Sequence, residues 1–264
     1  MNDAPTSPVS NAQIETVPDD ANPVLPATSM REEWRRLGTF LKRPTLENAS
    51  SCSTSDASSM LARVYALDIA IMIALIVIAG AVTAVGLELP KTALAEMDIT
   101  IWIFLAAVIA APVLEEILFR GWLSGKPGHV FALLSIALGT GIFTAFGDNS
   151  PLVSFPFLVG GFALALTLLI MLRRKPVMTW FARGFGLFFW LATAAFALIH
   201  LGNFETMSVW LLPLVLPQFV LGALAGYVRV QIGLWGAMAL HAMHNATLMG
   251  VVLLGTLVSE APAG

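Results

Sequence analysis

Seven long apolar runs constrain this chain more than any other feature of its sequence. From residue 62 onward they cover about 62–86, 99–122, 129–147, 151–172, 184–203, 207–228 and 232–257, each near the roughly 20 residues that a helix needs to span hydrocarbon. Inside a bilayer, backbone N–H and C=O groups must bond within their own segment, which makes these runs helices. The expected fold is therefore all-α, a polytopic transmembrane helix bundle with about seven spans. Composition agrees: 57% of the 264 residues are apolar and only 12% are charged, against the roughly 25% charged residues of an ordinary soluble domain.

The first 60 residues read differently. Residues 1 to about 30 are rich in Pro, Asp, Asn, Ser and Thr and hold too few large apolar side chains to offset the entropy of folding, so a disordered arm is expected. This arm lacks the basic start and apolar core of a cleavable signal peptide, which leaves the first span as the expected insertion signal. Across 30–43, Trp34, Leu37 and Leu41 recur at helical spacing among Arg31, Arg35, Arg36, Lys42 and Arg43. That segment reads equally as an interfacial helix on the membrane surface or as a basic linker held near anionic lipid. Residues 61–258 form the expected transmembrane domain. The single cysteine, Cys52, has no partner in the chain, so no intrachain disulfide can form.

Charge alternates from one junction to the next. Arg31 to Arg63 precede the first span, Lys126 follows the second, Arg173, Arg174, Lys175 and Arg183 follow the fourth, and Arg229 follows the sixth. The other junctions carry Glu88, Glu96, Asp98, Asp148 and Glu205, with only Lys91 against them. By the positive-inside rule the N-terminus is expected in the cytoplasm and the C-terminus outside, in a cytoplasmic membrane. A net charge of −3 supplies no field that would attract nucleic acid.

An ionisable side chain deep in a span costs roughly 2.5 to 3.5 kcal/mol on insertion scales, so each one calls for a partner or a function. The second run holds three within PVLEEILFR: Glu115, Glu116 and Arg120. Glu116 and Arg120 are four apart on one helix face, with the acid on the N-terminal side, the favourable order for a structural ion pair. Glu115 lies about 100° around the helix and is left as the free carboxylate. The fifth run ends with Phe196 and His200 one turn apart, and the seventh carries His241 and Asn245 four apart, with His244 facing elsewhere. Taken singly these are ordinary: a lone His on an apolar helix is more often a packing residue, and His with Asn is often an interhelical hydrogen-bonding pair. The glycines and prolines, among them Pro112, Pro213, Pro217, Gly222 and Gly226, read as sites of kinking and close packing.

Counting 1.5 Å per residue from the nearest charged junction places Glu115 and His241 roughly 16 and 18 Å deep, and Asn245 and His200 roughly 24 and 25 Å deep. The mismatch of about 9 Å lies within what tilts, Pro112 and the glycines can absorb. A shared site near mid-membrane is therefore permitted.

Together the three motifs resemble those of the CAAX-protease and bacteriocin-processing family of intramembrane endopeptidases, which includes many abortive-infection proteins. Its members carry Glu-Glu-x-x-x-Arg, a later Phe-x-x-x-His, and a final His-x-x-x-Asn or Asp. Here these are Glu115, Glu116 and Arg120, then Phe196 and His200, then His241 and Asn245, with Gly121 after the arginine. The resemblance covers about residues 99–257. One departure stands out: many members carry the first histidine motif on the run directly after the double glutamate, whereas here two runs, 129–147 and 151–172, intervene. They read as an inserted helical pair, which leaves the orientation of later spans unchanged. Phe143 offers an earlier start for the motif, but Gly147 stands at the histidine position.

The resemblance implies hydrolysis of a peptide bond in a membrane-embedded or membrane-anchored protein or peptide, of which prenylated CAAX proteins are the namesake class. Glu115, assisted by His200, would activate a water. His241 and Asn245 would donate hydrogen bonds to the tetrahedral oxyanion, and Glu116 with Arg120 would hold the helix. A second version places a divalent metal such as zinc between Glu115, His200 and His241. No HExxH is present, which excludes a standard zincin arrangement. Two other functions fit parts of the pattern: a noncatalytic immunity or scaffold member of the same family, and a proton-coupled transporter. Intact motifs argue against the first, and the lack of related halves with paired broken helices argues against the second.

Overall fold

The computed structural model describes residues 27–46, 53–90, 92, 99–147, 150–205 and 208–260, of which 256–260 by backbone alone. The arm ahead of residue 27, Cys52, and the junction residues Lys91, Glu96, Asp98 and Asp148 lie outside these residues. Among the described residues the protein is all-α, with helices α1 (Met30–Lys42), α2 (Thr54–Ala84), α3 (Ile101–Leu105), α4 (Ala111–Arg120), α5 (Pro127–Phe146), α6 (Pro151–Met171), α7 (Thr179–Arg183), α8 (Phe185–Ile199), α9 (Leu216–Ile232) and α10 (Leu234–Glu260). Seven helical segments are long and apolar enough to cross a membrane: Thr54–Ala84, Ile101–Arg120, Pro127–Phe146, Pro151–Met171, Phe185–Asn203, Val209–Ile232 and Leu234–Gly255. The chain is a multi-pass membrane protein.

These segments follow the apolar runs closely, except at the first. The apolar run begins near 62, but α2 starts at Thr54. Ser53 caps it by accepting the Asp56 N–H, and its hydroxyl donates to Asp56 Oδ2 at 2.6 Å. This reciprocal capping carries the helix two turns into its polar Ser-rich lead.

The basic segment 30–43 is a helix, and its apolar edge packs onto the bundle. Leu37 and Phe40 are buried, with the Phe40 ring 5.3 Å from Phe189 and 5.2 Å from Tyr227. Tyr227 on α9 donates its hydroxyl to Glu33 at 2.7 Å, and Trp34 Nε1 donates to the Arg63 carbonyl of α2 at 2.9 Å. Arg31, Arg35, Lys42 and Arg43 remain exposed.

The core lies where α8 meets α9. Phe181, Phe185, Phe189 and Phe196 are fully buried, and small residues on α9 admit them. A Cβ on Gly226 would stand 2.6 Å from the Phe189 ring, and one on Gly222 would stand 3.1 Å from Arg120 Nη2 and 3.2 Å from Phe196. Gly233, at φ 95°, is the single residue between α9 and α10. Only glycine adopts that conformation without strain, so the two helices double back on each other. α5 and α6 pack chiefly on one another, with Gly139 and Gly161 at their closest approach.

Candidate active site

The site is built by α4, the end of α8, and the middle of α10. Glu116 and Arg120, one turn apart on α4, form the expected ion pair at 2.9 Å, and both side chains are wholly buried. The guanidinium also lies over the Phe196 ring, 4.0 Å from its centroid. An aromatic face attracts a cation, so Phe196 supports the charge that brings Arg120 into the core. Glu116 Oε1 has a second partner that sequence spacing did not reveal, His241 Nδ1 at 3.0 Å.

Glu115 points to a different place. Its side chain is 30% exposed, yet its Oε2 is shielded from solvent and has no hydrogen-bond partner. Two imidazole nitrogens face that oxygen: His241 Nε2 at 3.8 Å and His200 Nε2 at 4.0 Å. The tautomers follow from the partners of the opposite nitrogens. His200 Nδ1 lies 2.7 Å from the Phe196 carbonyl, which can only accept, and His241 Nδ1 faces an ion-paired carboxylate. Each Nδ1 must therefore donate, and in the neutral form of either ring the lone pair then sits on Nε2.

Asn245, one turn beyond His241, donates Nδ2 to the Ala107 carbonyl at 2.8 Å. That carbonyl is available for a local reason. Ala106–Ala110 forms a π-helical turn in which Ala111 N–H bonds to Ala106 and so bypasses Ala107. The next residue, Pro112, has no N–H to offer. Such single wide turns recur at functional sites. The bond fixes which end of the Asn245 amide is presented: with one Nδ2 hydrogen on Ala107, the other is left for a ligand.

A model of the Rce1-like family, type II CAAX prenyl endopeptidases, matches residues 97–247, more than half of the chain. The chain belongs to that family. It is thus a membrane protein of a CAAX-type protease family, whose substrates are membrane-associated. No curated protein and no solved structure matches it. The Rce1-like match contains α4, α8 and the first half of α10, and with them every residue of the three motifs.

Two further histidines stand apart from these residues. His129, at the start of α5, is hydrogen-bonded to Ser124 at 2.7 Å. His244 is buried and faces Asp68 of α2, Nδ1 to Oδ2 2.7 Å. Asp68 was not singled out from the sequence, although an acid inside the apolar run 62–86 is a signal in itself. As to a metal, among the described residues no three His, Cys, Asp or Glu side chains are gathered into a formed cluster. Glu115, His200 and His241 do fit one in kind, since they offer two imidazole nitrogens and a carboxylate oxygen, each with an unused lone pair, around one gap.

Proposed function

We propose that the protein is an intramembrane endopeptidase that hydrolyses a peptide bond of a prenyl-type or otherwise membrane-anchored substrate by means of a water activated by Glu115. The observation that carries this reading is the unpartnered Glu115 Oε2 with both Nε2 atoms 3.8 and 4.0 Å away. Those separations are longer than direct hydrogen bonds and short enough for one water to reach the carboxylate and a ring together, and hydrogen bonds to a water would satisfy the otherwise orphaned oxygen.

Three acceptors around one gap impose a further condition. A water has two hydrogens and cannot satisfy all three, so one of the three groups carries an additional proton or a cation shares the space between them. We assign that proton to His241, whose ring lies between two carboxylates, with Glu116 at its Nδ1 edge and Glu115 at its Nε2 edge. In that state its Nε2–H becomes a donor.

The reaction then proceeds with Glu115 Oε2 accepting a proton from the water as its oxygen bonds to the scissile carbonyl carbon. The tetrahedral oxyanion receives hydrogen bonds from His241 Nε2–H and from the second Nδ2 hydrogen of Asn245. As the C–N bond breaks, the proton held on Glu115 passes to the leaving amine. His200, fixed by the Phe196 carbonyl, orients the water. A divalent ion, were one bound, would be held by Glu115, His200 and His241 and would supply Lewis-acid polarisation. Loss of turnover on chelation, with recovery on zinc addition, would assign a metal to those three residues.

The direct test compares membrane proteomes of cells carrying the wild type and Glu115→Gln. A substrate fragment that appears only with the wild type is expected. Identical fragment sets, with both proteins folded and present in equal amount, would refute the proposal.

A further inference from the structure

The mechanism leaves one buried ionisable pair unused. Asp68 and His244 are enclosed in the membrane-spanning region, 2.7 Å apart, with Asp68 fully buried and His244 nearly so. Asp68 lies on α2, outside the span of the family match, and does not touch the reacting groups. One turn away along both helices the same interface carries a second polar contact, between the Tyr65 hydroxyl and the Thr247 hydroxyl. Two polar contacts in register form a seam between the first span and the last.

We infer that Asp68 is a positioning residue for the active site, acting through the rotation of α10. His244 is three residues after His241 and one before Asn245. At 100° per residue, His241 and Asn245 share one side of α10, and His244 lies about 60° from His241. Besides its packing on α9, α10 is therefore held by polar contacts from two directions. On the α4 side, Glu116 holds His241 and the Ala107 carbonyl holds Asn245. On the α2 side, Asp68 holds His244 and Tyr65 holds Thr247.

Groups reaching roughly 6 Å from a helix axis move about 1 Å for a 10° rotation. A misplacement of that size costs about a hundredfold in rate. α9 packs along α10 as well, and the polar contacts from the α4 and α2 sides set the angle at which α10 sits in that packing. An apolar seam of the same volume would hold the helices together without setting their angle, because dispersion contacts are not directional.

This inference rests on the proposed roles of Glu115, His241 and Asn245, and its test keeps the two separable. Purified full-length protein is assayed with an internally quenched prenylated CAAX peptide, and the same samples are examined by NMR with 15N-labelled histidine. Asp68→Ala and His244→Ala are expected to lower kcat by about 10- to 100-fold, with KM within about twofold. The double variant should be no slower than either single one, since the two act as a unit. The exchange Asp68→His with His244→Asp restores the pair and should recover most of the lost kcat. His241 ring signals should move in Asp68→Ala and return in the exchange, a readout that needs no turnover.

Unchanged kcat and unmoved His241 signals in Asp68→Ala would overturn the inference, as would an exchange variant that folds but recovers neither. Should Asp68→Ala fail to fold, the exchange variant decides the matter alone. If Glu115→Gln also retained full turnover, the proposed catalytic roles would fall, whereas loss in Glu115→Gln with full activity in Asp68→Ala removes only the positioning role.

Discussion

His241 Nδ1 lies 3.0 Å from Glu116 Oε1, the same oxygen that receives Arg120 at 2.9 Å. Glu116 therefore joins α4 to α10 as well as neutralising its own arginine. The two glutamates flank one imidazole: Glu116 holds its Nδ1 edge and Glu115 faces its Nε2 edge.

Three substitutions should separate these roles. Glu115→Gln is expected to abolish peptide hydrolysis while leaving thermal stability in detergent near that of the wild type, because Glu115 Oε2 bonds to nothing in the fold. Arg120→Ala strands a buried carboxylate and should destabilise by about 3 to 5 kcal/mol. Glu116→Gln should lower both stability and turnover, since it weakens the arginine pair and the hold on His241 together. Equal stability losses for Glu115→Gln and Arg120→Ala would contradict this division.

The seven spans were legible in the sequence because hydrocarbon leaves the backbone one solution. So was the Glu116–Arg120 pair, which depends only on spacing along one helix. The convergence of Glu115 with His200 was not, and counting residues left a gap of about 9 Å. That count follows Cα positions, whereas helical side chains lean toward the N-terminus of their helix. α4 is in the second span, and α8 and α10 are in the fifth and seventh, so they run in the opposite direction. Glu115 therefore leans one way and His200 the other, and the gap closes to 4.0 Å between Glu115 Oε2 and His200 Nε2. The pairing of Asp68 with His244 escaped notice because the two lie 176 positions apart, a relation that no local spacing encodes. Pro112 read as a kink; its effect as a missing donor appears only once the π-turn above it is seen.

Pro112→Ala tests that effect. The substitution supplies an N–H five residues after the Ala107 carbonyl, which can then close a helical bond of the π type in competition with Asn245. Turnover should fall by roughly tenfold through a freed Asn245 amide, with KM little changed. Folding should be unimpaired, because the helix gains a backbone bond. An enzyme with full turnover after this change would show that the Ala107 contact does not orient Asn245.

Close packing on α9 predicts a graded pair of effects. A Cβ at Gly226 would meet the buried Phe189 ring at 2.6 Å, whereas one at Gly222 would meet Arg120 Nη2 at 3.1 Å and Phe196 at 3.2 Å. Gly226→Ala should therefore destabilise more, by about 1 to 3 kcal/mol, as expected of overpacking. Gly222→Ala should cost less stability but more turnover, because the atoms it displaces support the Glu116–His241 contact. Thermal melts and turnover measured on the same preparations would show whether the two effects separate in this way.

Three contacts bear on the orientation of the protein in its membrane. Arg229 Nε donates to the Arg120 carbonyl at 3.2 Å, which brings the ends of α9 and α4 together. Met178 N–H donates to the Gly125 carbonyl at 3.0 Å, which brings the segment after α6 to the turn before α5. Trp34 of α1 reaches Arg63 near the start of α2. Lys126, Lys175 and Arg229 adjoin these contacts, and by the positive-inside rule their side is expected to be the cytoplasmic one. Reporter fusions at Lys126, Lys175 and Arg229 should report cytoplasm, and fusions at Glu96, Asp148, Glu205 and Glu260 should report the outside. Lys175 is the decisive position, since it lies after the helical pair α5 and α6. An outside signal there would mean that the pair does not cross twice, and the second and fifth spans would then run in the same direction. Glu115 and His200 would lean the same way along the membrane normal, and the 4.0 Å approach between them could not be kept.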